Sequence, residues 1–262
     1  MKFVIVFIYL AINLVNGQIN IPLSSDEKLD SINKFLKYES DSANQFLIYR
    51  GFIVKYNKKQ KSPHFTIHFL SPEQLDQSQP KAKRMNSFWI DDFHKTVTAT
   101  KKDYYKSGFD RGHFVPAGDY YWDKDLKDET FVMSNISPQK PGLNRGIFAL
   151  LENKLREMVR VSNLRMCIIT GSIFIDSDMG VFGNNKIGIP SFFYKICFLE
   201  NSNILIAFLF PHANEFHSVD LKDYQVDVNS LERITNEDFF DKFDDDYEEK
   251  IESNIIYYDE IE

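Results

Sequence analysis

Apolar positions follow two different periods along this chain. From Leu143 to Val161 the residues Leu143, Ile147, Leu150, Leu151, Leu155, Met158 and Val159 recur every three or four positions, the stripe of an amphipathic helix. Elsewhere the pattern is that of strands. Tyr49 to Tyr56 and His64 to Leu70 flank the polar stretch Asn57-Lys58-Lys59-Gln60-Lys61-Ser62-Pro63, which predicts a hairpin. Met166 to Thr170, Phe192 to Leu199 and Ile204 to Phe210 are β-rich runs, and Phe131 to Met133 reads as a shorter one. Ser24 to Gln45 carries Leu29, Ile32, Phe35 and Leu36 at helical spacing in a polar background, a weak helix or a loose arm. Ser71 to Lys83 reads as a loop that closes on Lys81, Lys83 and Arg84. Val228 to Glu232 suggests a late helix start with a serine N-cap. Strands in series with few helices between them predict an α+β fold, a mixed and mainly antiparallel sheet flanked by helices, rather than a parallel α/β sheet.

The chain has 262 residues with only 11 Gly and 9 Pro, no visible repeat and no linker-like run, so a single domain over 18–240 is expected. With 43% hydrophobic residues, including 24 Phe, a packed core is within reach. Residues 1–17 read as a signal peptide. Lys2 precedes the 13-residue apolar run from Phe3 to Val15, and Val15-Asn16-Gly17 offers a cleavage site before Gln18,. The run is short of the ~20 residues that span a bilayer, and it lacks the Arg of a transit peptide. A buried strand or an uncleaved anchor is the alternative. Secretion is the expected localisation, a mitochondrial address the alternative, with no stable membrane association. Cys167 and Cys197 fall in separate predicted strands; they pair if those strands are neighbours that bring them face to face, and otherwise stay buried thiols.

Charge is unevenly distributed. The net charge is −7, yet Glu237 to Glu262 holds 12 acidic residues against Lys242 and Lys250, a net of −10. The remainder is therefore about +3, a mildly basic body suited to a polyanion,. Residues 241–262 are expected to be a solvated acidic tail; folding over a cationic groove is the less favoured reading.

The candidate chemistry is concentrated between Asp110 and Glu152. Asp110-Arg111-Gly112-His113 is followed by Ser134-Asn135-Ile136-Ser137-Pro138-Gln139, then Asn144 and Glu152. Neutral imidazole can take a proton from water near physiological pH. In an extended segment Arg111 and His113 point the same way, Gly112 leaves room for phosphate to approach the backbone, and Asp110 can orient the segment. Asn144 and Glu152 are eight residues apart, about 80° around and ~12 Å along a regular helix. The amide oxygen of Asn144 can touch a metal ion that Glu152 reaches through water, an arrangement Mg²⁺ tolerates. Spacing alone also permits a helix cap at Asn144 and a solvated Glu152. His64, His68, His94, His212 and His217 lack a metal-binding context, and Tyr120, Tyr121 and Trp122 favour core packing over base stacking. The sequon Asn135-Ile136-Ser137 is expected to be buried and unmodified.

These residues resemble the DNA/RNA non-specific endonuclease family, which includes endonuclease G. The resemblance runs from about Tyr49 to about Phe240, with Gly108 to Glu152 its specific part. It implies a ββα-metal (His-Me finger) fold and endonucleolytic cleavage of DNA and RNA to 5′-phosphate ends. It implies His113 as general base, Asn144 as direct Mg²⁺ ligand (Mn²⁺ substituting), and Glu152 holding metal-bound water. Arg111 and Asn135 would contact phosphate, with Arg84 as a further phosphate contact. A homodimer is compatible with the family. Phe148 stands where relatives often have Trp, a change that packing tolerates. A catalytically silent nucleic-acid-binding protein on the same fold is the alternative, which the retention of His113, Asn144 and Glu152 disfavours.

Overall fold

The computed structural model describes residues 43–91, 94–175 and 180–258. The expected signal peptide, and most of the arm from Ser24, lie outside the described residues. Seven strands form one antiparallel sheet: β1 (Asn44–Ile48), β2 (Phe52–Asn57), β3 (Ser62–Leu70), β6 (Met166–Ile173), β9 (Phe192–Leu199), β10 (Ile204–Pro211) and β11 (Gln225–Val226), hydrogen-bonded in that order. Two short pairs lie outside it, β4 (Asp110–His113) with β5 (Ile136–Gln139), and β7 (Val181–Phe182) with β8 (Ile187–Gly188). The helices are α1 (Lys124–Glu129), α2 (Phe148–Ser162), α3 (Val228–Thr235) and α4 (Asp245–Glu252). The architecture is the α+β one expected.

Strand alternation builds two cores from one sheet. In β9, Phe193, Cys197 and Leu199 join the core under α2, whereas Tyr194, Ile196 and Phe198 join the core on the opposite face. β6 divides likewise, Met166 and Ile168 against Cys167 and Ile169. Helix α2 lays Phe148, Leu151, Leu155, Met158 and Val159 on the first face, each side chain worth roughly 1.5–3 kcal/mol of burial. It ends where Asn163 turns left-handed at φ 56,. The same alternation settles the cysteines. Cys197 pairs in register with Ile168, and Cys167 with Phe198. Adjacent register positions point to opposite faces, so both remain free, buried thiols.

Four expectations are corrected. The strand expected over Tyr49 to Tyr56 begins only at Phe52; residues 49–51 form the turn that joins it to an unexpected strand, β1, and there the Tyr120 hydroxyl donates to the carbonyl of Gly51 at 2.7 Å. Phe131 to Met133 is no strand; Val132 makes one bridge to Trp89, and a 3-10 turn follows over Met133–Asn135. The late helix is capped by Asp227, whose carboxylate accepts the Ser230 N–H at 2.8 Å, so the charged oxygen rather than a serine meets the helix N-terminus,. The acidic tail is not simply solvated. Helix α4 buries Ile251 in the core away from α2, with Phe243 and Tyr247 packed beside it. Among the described residues no helix is long and apolar enough to cross a membrane.

Candidate active site

Antiparallel pairing of β4 with β5, followed by α2, makes a ββα unit on the α2 face of the sheet. The strand period sends Arg111 and His113 to one side of β4. Phe88 meets both, 4.4 Å from the Arg111 guanidinium carbon and 5.3 Å from the His113 ring, centroid distances in each case. On the other side the expected room at Gly112 is already filled. A Cβ there would lie 2.1 Å from the side chain of the buried Gln139. Gly112 is thus required by Gln139 rather than by an approaching phosphate.

The His113 imidazole is uncharged. Burial, then the charges of Arg84 and Arg111, lower its pKa to about 3,. Phe131 packs edge-on against the ring at 4.8 Å, and the Arg84 guanidinium carbon lies 5.0 Å from the Phe131 centroid. The structure therefore brings Arg84, Arg111 and His113 around one pair of phenylalanines. Arg84 also lines a surface hollow of about 210 Å³ with Lys83, Met85, Asn86, Lys124 and Asp128. Its loop is stapled from below by Lys127, a buried lysine whose Nζ donates to the carbonyls of Ala82 at 3.0 Å and Tyr121 at 2.8 Å.

The chain enters α2 through a π turn, Leu143–Ile147, not through the regular helix expected. π turns occur often at functional positions, and this one carries Asn144. The Asn144 amide donates to the Asp110 carboxylate at 2.9 Å, and Arg145 Nε donates to the same oxygen at 2.7 Å. Burial opposes ionisation of Asp110, but the hydrogen bonds from Arg145 and Asn144 and the charges of Arg145 and Arg111 outweigh it and keep its pKa below the ordinary value. With its NH₂ committed to the Asp110 carboxylate, Asn144 has its carbonyl oxygen left for another ligand. A hard, oxygen-seeking cation fits that oxygen, taking few protein ligands and several waters.

Glu152, on α2, faces Lys195 of β9 with 4.0 Å between carboxylate and ammonium. Lys195 is 1% exposed and donates to Thr170 Oγ1 at 2.8 Å and to the Phe114 carbonyl at 3.4 Å. It thereby ties Glu152 to the residue that follows His113. Burial raises the Glu152 pKa to about 7 and lowers that of Lys195, while attraction between them pulls each back. A second buried group lies nearby. Asp119 accepts from His68 Nε2 at 2.9 Å and from Arg156. Burial opposes its charge, but these two partners hold its pKa down. Neither Lys195 nor Arg156 stands out in the sequence, and His68 has no metal-binding context there. The available signal was a lysine interrupting the apolar run Phe192 to Leu199.

Asn135 is placed differently from its expected role at the phosphate. Its side chain is wholly buried, accepts the Val115 N–H at 3.0 Å, and donates to the carbonyls of Val115 at 3.1 Å and Thr130 at 2.8 Å. It braces the segment after His113 instead of facing a substrate. Asn135 and Ser137 of the sequon are both buried.

A family model for DNA/RNA non-specific endonuclease matches residues 33–246. The mitochondrial endonuclease G of Homo sapiens is 29% identical over 213 residues, 76% of this chain and 70% of its own. Nuclease C1 of Cunninghamella echinulata var. echinulata is 29% identical over 216 residues, 78% of this chain and 85% of its own. A crystal structure of an EndoG/EndoGI complex matches with a TM-score of 0.73 at 23% identity, covering 86% of this chain and 95% of that one, and shares the fold.

Proposed function

The chain belongs to the DNA/RNA non-specific endonuclease family, and from that premise we propose that it is a secreted, Mg²⁺-dependent enzyme hydrolysing phosphodiester bonds in DNA and RNA to 5′-phosphate ends. The observation that carries the reading is a neutral His113 packed on the two phenylalanine rings that hold the Arg84 and Arg111 guanidiniums, in the same ββα unit as the Asn144 amide. His113 takes a proton from water. The water oxygen bonds to phosphorus, the bond to the 3′ oxygen breaks, and that oxygen is protonated from solvent. Arg111 and Arg84 bind the non-bridging oxygens and offset the charge that builds on them. Glu152, kept near Phe114 by Lys195, orders water in the site. A divalent cation held by Asn144, Mg²⁺ or in its place Mn²⁺, supplies Lewis-acid stabilisation of the phosphate and the leaving oxygen.

His113→Ala is expected to abolish cleavage of plasmid DNA and of RNA while leaving the melting transition intact. Chelator is expected to do the same to the unaltered protein, with Mg²⁺ restoring it. Undiminished cleavage by the His113→Ala protein removes the histidine from the mechanism. The name of the Homo sapiens relative favours a mitochondrial address as the second reading. The Arg-free apolar run Phe3 to Val15 favours secretion,, and a mature N-terminus at Gln18 in culture medium would decide for it.

A further inference from the structure

A catalytic imidazole is usually oriented by a hydrogen bond to its second nitrogen. Here that bond is missing: among the described residues Nε2 of His113 is buried without a hydrogen-bond partner. Aromatic packing takes its place. The Phe131 centroid lies 4.8 Å from the His113 ring with planes at 82°, and Phe88 lies 5.3 Å away at 45°. The two phenylalanines are 5.2 Å from each other, so the three rings close a triangle. The backbone locks it, since Trp89 N–H donates to the Phe131 carbonyl at 3.1 Å and Met133 N–H to the Trp89 carbonyl at 2.8 Å. Each phenylalanine also carries one cation. The Arg111 guanidinium carbon is 4.4 Å from the Phe88 centroid, and that of Arg84 is 5.0 Å from the Phe131 centroid. Aromatic faces attract guanidiniums, so these rings hold two like charges close to a ring that must stay uncharged.

We propose that Phe88 and Phe131 form an aromatic clamp that fixes the His113 ring and spaces Arg84 and Arg111 around it, which makes Phe88 a positioning residue for cleavage. The proposal rests on the reading of His113 as the base and adds what holds that base in place. Removing the Phe88 face frees Arg111 from its platform and admits water to the imidazole. Arg84 and Arg111 are the charged groups that weigh on this ring; once the ring is hydrated, their repulsion is better screened and protonation is easier. Phe88 is only half-buried, so its replacement is less disruptive than that of the buried Phe131.

The test compares Phe88→Leu, Phe88→Ala and Phe88→Tyr with His113→Ala in the full chain. It reads kcat and KM on DNA with Mg²⁺, thermal melting, and the NMR titration of the His113 ring without metal. Phe88→Leu and Phe88→Ala are expected to lose kcat by about 10- to 100-fold, the penalty of small misplacements. KM should rise, and the His113 titration should move up toward the ordinary value of ~6.5. Phe88→Tyr, which keeps the aromatic face, should restore all three. A folded Phe88→Leu protein with unchanged kcat, KM and titration overturns the clamp. If Phe88→Ala does not fold, the Leu and Tyr variants decide. Full cleavage by His113→Ala refutes the base instead, and the ring titration in Phe88→Leu still reports whether the clamp exists.

Discussion

At His113 the demands of chemistry and of stability pull against each other. The unfolded imidazole protonates near pH ~6.5, whereas the folded ring does so only near 3. Between these values the unfolded chain binds more protons than the folded one. Stability from this group is therefore complete above about pH 6.5 and is lost as pH falls toward 3. The ring keeps some exposure, so the loss is on the order of 2–4 kcal/mol rather than the full-burial limit. His113→Leu removes the titration. Its melting temperature should fall less between pH 7 and pH 4 than that of the unaltered protein; parallel curves would mean the ring is not desolvated. At this scale the sequence reveals side chains that act through unusual chemistry in a readable context. His113 and Arg111 stand out in Asp110-Arg111-Gly112-His113, and Asn144 and Glu152 follow at telling spacing. Lys195 and Arg156 do not stand out, because their partners Glu152 and Asp119 are respectively 43 and 37 residues away and meet them only after the sheet has formed.

At the scale of elements, β9 and the body of α2 follow their periodicities closely, because strand alternation and a 3.6-residue stripe are local properties. What the periodicity misses is set by tertiary contacts: the turn over residues 49–51 under Tyr120, the π turn Leu143–Ile147, and the use of Gly112. The β4–β5 pair shows the consequence. Gly112 lies between Arg111 and His113, and the Gln139 side chain occupies the volume a Cβ would need. Gln139 is fully buried, and its Oε1 and Nε2 have no hydrogen-bond partner among the described residues, so it sits in a tight space with little polar compensation. Gly112→Ala should cost ~1–3 kcal/mol by overpacking, lowering the melting temperature by roughly 2–4 °C per kcal/mol, and should reduce kcat by turning Arg111 and His113 away from each other. Adding Gln139→Ala should recover most of both losses, a coupling that a double-mutant cycle reads directly. Strictly additive effects would show that the two side chains do not compete for one volume.

Across the whole molecule, the ββα unit and helix α4 lie on opposite faces of the sheet. The ββα unit lies on the α2 face, where Arg84, Arg111 and Lys195 gather around His113 and Glu152. The acidic segment instead packs α4 on the far face, with Ile251 in that core and the Tyr247 hydroxyl donating to Asn203 at 2.6 Å. The chain then follows β11, where Gln225 donates to the Ile256 carbonyl at 2.8 Å, and turns onto the other face, where Ile256 and Tyr258 pack against the core under α2. A solvated competitor for the nucleic-acid groove would need its charges within reach of the cations, and exposed charges more than about 8 Å apart are largely screened at physiological salt. Burial at Glu252 raises its pKa to about 9, and the surrounding carboxylates of Glu232, Glu248, Asp238 and Glu249 add to the rise. Such crowding is tolerated by an element held through packing, not by one held through its charge. Ending the chain at Asp244 should therefore destabilise the protein by several degrees, through exposure of the surface that Ile251 and Tyr247 cover on one face and Ile256 and Tyr258 on the other,. Below the melting transition, kcat and KM on DNA should stay within about twofold of the full chain at both low and physiological salt, because far-face charge contributes little at the groove. The same titration of activity against salt separates the alternatives: a shortened chain that binds DNA tenfold more tightly at low salt, with the gain vanishing as salt rises, would identify the tail as an electrostatic competitor and overturn its role as a structural cap.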